Sequence, residues 1–131
     1  MKYLLPKGWP RPSGYSNGVL AKGQQVFVAG MVGWDENGTF AEGLVEQFEK
    51  VLQNTVAVLQ EAGAGPEHVV RMTWFVKDLD TYRQNLVPIG LTYRKVMGKS
   101  FPAMAAIGIN DLVEPEALIE IETTAVIPDD E

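Results

Sequence analysis

Residues 68–76 constrain the fold of this chain more than any other stretch. They are rich in Val, Thr and aromatic side chains and have strand character. Alternation places Val70, Met72, Trp74 and Val76 on one face and Val69, Arg71, Thr73 and Phe75 on the other. Both faces are largely apolar, so a strand here requires cover on both sides.

The rest of the chain supplies that cover for one side. Residues 44–62 are expected to form a helix. Val45, Phe48, Leu52, Val56 and Leu59 recur at helical spacing, while Glu46, Glu49, Lys50, Gln53 and Gln60 lie off that stripe. Gly63 and Pro66 stop the helix. Asp78-Leu79-Asp80 opens a second helical region, read as a turn over residues 81–86 and a helix over 88–97 with Pro88 at its first position. Ile89, Tyr93, Val96 and Met97 form its apolar face, and Gly98 ends it.

Residues 18–22 read as a short extended segment, Gly23-Gln24 as a turn and residues 25–29 as a strand. Asp35-Glu36-Asn37-Gly38 is a turn. Further strands are expected over residues 101–109 and 117–127. In the last, Ile119, Ile121, Thr123 and Ala125 alternate with Leu118, Glu120, Glu122, Thr124 and Val126. Two helices among strands, without repeated parallel βαβ units, indicate an α+β fold in one domain spanning residues 1–131. One sheet carries both helices on one face. The opposite face is left without cover, and self-association is the expected solution.

Charge and residue usage remove several function classes. Eleven basic and seventeen acidic residues give a net charge of −6, with no basic run, which disfavours nucleic acid as a partner. There is no cysteine and one histidine, His68, which excludes thiolate chemistry and a multi-histidine metal site within one subunit. His68 is read as a surface loop residue. No apolar stretch approaches the length of roughly 20 residues that spans a bilayer. The opening Met1-Lys2-Tyr3-Leu4-Leu5-Pro6 is too soon interrupted for a secretory leader, so a cytoplasmic protein with no membrane partner is expected. Only the acidic tail Asp129-Asp130-Glu131 reads as disordered.

Four segments form a series: Pro12-Ser13-Gly14-Tyr15-Ser16, Val26-Phe27-Val28-Ala29-Gly30, Phe101-Pro102-Ala103-Met104, and Ile119-Glu120-Ile121-Glu122, whose Glu120 lies sixteen residues after Met104. Over nearly its whole length the chain resembles the RidA/YjgF family, long labelled L-PSP endoribonuclease. The resemblance implies a chorismate-mutase-like fold with one mixed sheet and a homotrimer whose sheets enclose a central barrel. It places ligand clefts between subunits. It also implies hydrolysis of an enamine or imine to a carbonyl compound and ammonia, with no cofactor, because an imine carbon is already electrophilic.

By that resemblance Glu120 helps place the hydrolytic water, a role that suits a carboxylate set among apolar neighbours. Tyr15 orients substrate through its hydroxyl. Gly30 lets backbone approach the ligand closely, although the family's preceding serine is here Ala29. Asn85 stands for a family asparagine ahead of the second helix, with a spacing to Phe101 one residue longer than in many members. Met104, followed by Ala105, occupies the place of the arginine that clamps a substrate carboxylate in the family's deaminases. A thioether offers polarisable apolar volume and no bidentate bond. A redirected specificity pocket follows, or else a trimer that binds a small ligand without catalysis. Arg11, just ahead of the front motif, is a candidate for meeting a substrate carboxylate instead. Cleavage of RNA is a third reading, disfavoured by charge.

Overall fold

A computed structural model describes residues 1–129; Asp130 and Glu131 of the expected acidic tail lie outside the described residues. A four-stranded sheet organises the chain. It is built from β3 (Gly23–Val32), β6 (Ile119–Pro128), β4 (Val69–Val76) and β5 (Ala103–Gly108), in that spatial order. β6 is antiparallel to both of its neighbours, whereas β4 and β5 run parallel, so the sheet is mixed. A small second sheet pairs β1 (Lys2–Leu4) with β2 (Gly18–Leu20).

Helix α1 (Leu44–Glu61) packs on β3 and β6 and lies beside α3 (Leu86–Met97), with the six-residue α2 (Leu79–Gln84) leading into α3. Phe48, Leu52 and Leu59 are buried as the periodicity requires, but the buried face turns further toward Leu44, Val51 and Thr55 than the expected stripe, leaving Val45 and Val56 partly exposed. Gln47 is buried with them. Its amide donates to the carbonyls of Ala41 and Glu116 at 3.1 and 3.0 Å and accepts from the Leu118 amide at 2.8 Å, so the loop ahead of β6 is tied to the helix. These three bonds satisfy an amide that would otherwise be costly to bury.

Four local readings change. Gly23-Gln24 begins β3 rather than forming a turn, and β3 runs on to Val32. Residues 81–86 are mostly helical, because Asp78 caps α2: its carboxylate accepts from the amides of Asp80 and Thr81. Pro88 sits in the first turn of α3, where its missing N–H has no helical partner to lose. His68 is buried rather than a surface loop residue; it closes the 3-10 turn Pro66–His68, its Nδ1 accepting from the Gly65 amide at 3.0 Å.

Met72, Trp74 and Val76 of β4 and Ile119, Ile121 and Ala125 of β6 face the helices and are buried. A register shift between Val69 and Arg71 puts Val69, not Val70, into that core. On the opposite face Phe27 of β3 is 72% exposed. Among the described residues no helix is long and apolar enough to cross a membrane.

Candidate functional site: a cleft in two halves

Glu120 lies on β6 with Val32 and Phe75 as its register partners. It is partly buried and forms no ion pair among the described residues. A cross-strand Lys or Arg, the ordinary structural reason for a carboxylate in such a strand, is therefore missing among the described residues. Gly30 explains how the carboxylate fits. The ladder of β3 against β6 slips between Val28 and Met31, a bulge that carries Ala29 and Gly30. A Cβ placed on Gly30 would come within 2.5 Å of Glu120 Oε2, so the carboxylate rests over the glycine's own Cα. The bulge also restores Met31 to the core side after Val28, which simple alternation from Val28 would not do.

The second half is built on the opposite side of the sheet. Met104 pairs in register with the buried Met72 on the helix-covered face, while Ala105 pairs with Thr73 on the open face. Met104 lines a hollow of about 540 Å³ together with Trp74, Tyr82, Tyr93, Phe101 and Arg94. Its aromatic wall is ordered: Tyr93 stacks on Phe101 at 5.5 Å between centroids, and Trp74 meets Tyr82 edge-on at 6.4 Å. The Tyr93 hydroxyl donates to the Ser100 carbonyl. Burial pushes both the Tyr82 and Tyr93 hydroxyls up from their ordinary value.

The front motif reaches this half across the length of the chain. Ser16 donates its hydroxyl to the Phe101 carbonyl at 2.5 Å and its amide to the Pro102 carbonyl at 3.0 Å. That docking sets Arg11 and Tyr15 along a second hollow of about 390 Å³, which adjoins the first through Ser13, Gly14, Arg94 and Phe101. Neither hollow has an acidic lining residue among the described residues.

The structure thus brings Glu120 and Gly30 together, and separately gathers Tyr15, Arg11 and Met104 around joined hollows. Asn85 belongs to neither. Its amide donates to the Thr81 carbonyl at 2.7 Å and fastens the joint between α2 and α3. Arg94 is the wall residue that sequence reasoning passed over. It is exposed, one position beyond the buried Tyr93 on α3, and nothing in the sequence marks it as a wall residue.

The sequence profile described as Endoribonuclease L-PSP matches residues 10–127. A RutC family protein of Pyrococcus abyssi is 34% identical over 118 residues, covering 88% of this chain and 89% of that protein. A 2-iminobutanoate/2-iminopropanoate deaminase of Salmonella typhimurium is 30% identical over 108 residues, covering 79% of this chain and 80% of its own. Among solved structures, YyfB of Yersinia pestis, a Rid-family protein of unknown function, superposes with a TM-score of 0.84 at 33% identity and covers 96% of this chain and 98% of its own.

Proposed function

Because this chain belongs to the RidA/YjgF family, we propose that it hydrolyses an enamine or imine to a carbonyl compound and ammonia, in a cleft completed by a neighbouring copy. One observation carries the reading: Glu120, with no cationic partner among the described residues, rests on a bulge whose glycine leaves room for its carboxylate. Similarity to the Salmonella deaminase supports the class of reaction.

The chemistry asks little of the protein. An enamine takes a proton at carbon and gives one up from nitrogen, becoming the imine. Water then adds to the C=N carbon while Glu120 receives its proton. Glu120 passes that proton to nitrogen, and the hydroxyl proton of the adduct then follows it, so the C–N bond breaks and ammonia leaves as the C=O bond forms. Glu120 and the Met104 hollow lie on opposite faces of one sheet, so a single copy does not present both to one ligand. A homotrimer, with the open sheet face inside and Glu120 of one copy facing the hollow of the next, supplies both halves. Exposed Phe27 and Ile107 on that face support the assembly.

Met104 favours a second reading, a trimer that binds a small ligand without turning it over. The two are separated by ammonia release from imines generated in solution, using a small carboxylated imine, bulkier ones and neutral ones. Release by the natural protein that disappears in Glu120→Gln, with the assembly intact by sedimentation, supports the deaminase. Silence from the natural protein on every imine, with activity appearing in Met104→Arg, supports the binding protein.

A further inference from the structure

We infer that Arg94 holds the carboxylate of a ligand whose apolar, aromatic-sized body occupies the hollow over Met104. The inference takes the place of the ligand from the cleft described above, but not the reaction.

Arg94 differs from its charged neighbours in what it touches. Lys95 pairs with Glu49 at 3.0 Å, Arg83 with Asp80 at 3.3 Å and Lys77 with Asp111 at 3.2 Å. Arg94 forms no ion pair among the described residues and lies on the wall common to both hollows. In a chain of net charge −6, hollows with no acidic lining residue among the described residues, beside a guanidinium that forms no ion pair among them, favour an anion. Arg11 offers a second guanidinium along the smaller hollow.

The rest of the wall defines the ligand's other end. Trp74, Tyr82, Phe101 and Met104 are apolar and polarisable, and Met104 takes up volume that a side chain reaching for a carboxylate would otherwise cross. A space of about 540 Å³ exceeds what a three-carbon acid fills. The carboxylate anchor has thus moved from the strand, at position 104, to the neighbouring helix, at position 94. Moving it lengthens the distance between anchor and strand and selects a larger acid.

The test uses three probes that carry no C=N bond: 3-phenylpropionate, propionate and 3-phenylpropanamide, titrated calorimetrically into the full chain. The natural protein should bind 3-phenylpropionate saturably, and propionate and the amide more weakly. Arg94→Ala should weaken 3-phenylpropionate binding roughly tenfold or more, the usual value of a charge-assisted pair, and leave the amide unchanged. Arg94→Lys should recover part of the loss, since a point charge replaces a fork. Arg94 is exposed, so its variants should keep the natural melting temperature. Absence of saturable 3-phenylpropionate binding, equal affinity for acid and amide, or unchanged affinity in Arg94→Ala would overturn the inference. Ammonia release is scored separately: Arg94-dependent binding without turnover would leave the site standing and remove the deaminase, and turnover without Arg94 dependence would do the reverse.

Discussion

The two faces of the four-stranded sheet are made from the same strands, yet only one is finished. On the helix-covered face Met72, Ile119 and Ile121 are fully buried under α1 and α3. On the other, Phe27 and Ile107 stay exposed on the side that carries Glu120 and Thr73. The first face is a core whose packing is settled within the subunit. The second mixes apolar and polar groups, the composition of a surface that meets a partner and keeps water near a carboxylate. If the proposed assembly forms, stability and assembly sit on opposite sides of one sheet, and each can be damaged alone.

The largest effect should come from the finished face. Ile121→Ala leaves a cavity that the helices cannot close, and unfolding free energy should fall by about 2–5 kcal/mol in urea titration. Loss below that range would mean the covered face is looser than its burial implies. Phe27→Asp attacks the open face. Sedimentation should show the assembly dissociating to a subunit whose circular dichroism is unchanged; a monomeric natural protein would break the comparison outright. Tyr93→Phe sharpens it from the inside. The variant gives up the hydrogen bond to Ser100, costing about 1 kcal/mol.

Tyr93 also carries a pH signature. Its folded pKa is raised, chiefly by burial, so its contribution is whole below the ordinary value of 10.0 and is lost as pH rises through the folded value. Stability curves of natural protein and Tyr93→Phe should converge above pH 10.0. The smallest effect belongs to Asp78, whose carboxylate is held below its ordinary value by the Thr81 hydroxyl and amide and by the Asp80 amide. That contribution is present above pH 3.8 and fades as pH falls through the lower folded value, so Asp78→Asn should flatten the acid arm of the thermal-stability profile without touching the neutral one.

Periodicity carried most of the fold because burial enforces it. The alternation of Met72, Trp74 and Val76, and of Ile119 and Ile121, is repeated in the structure. What escaped was set by interactions distant in sequence or by irregular pairing. β1 is three residues long and exists only because Gly18–Leu20 lies beside it. The bulge at Ala29-Gly30 is invisible to a rule of two, although Gly30 itself was singled out. The Gly30–Glu120 contact and the gathering of Arg11, Tyr15 and Met104 join residues named from the resemblance. Arg94 was not among them, because a single arginine on a helix reads as a solvated side chain until the hollow beside it is seen.

The docking of Ser16 onto Phe101 and Pro102 has a consequence beyond the site. β5 is an outer strand of the sheet, and Ser16 bridges to Ala103 at its beginning. A bare strand edge is a template for other chains, and here the arm ahead of β2 shields part of that edge. The shield closes across 85 residues of sequence, so it can form only after β5 is in place. Newly made chains therefore pass through an interval in which the edge is unguarded, and Ser16→Pro, which removes the amide that holds the arm, should lengthen that interval and raise the yield of aggregate on refolding.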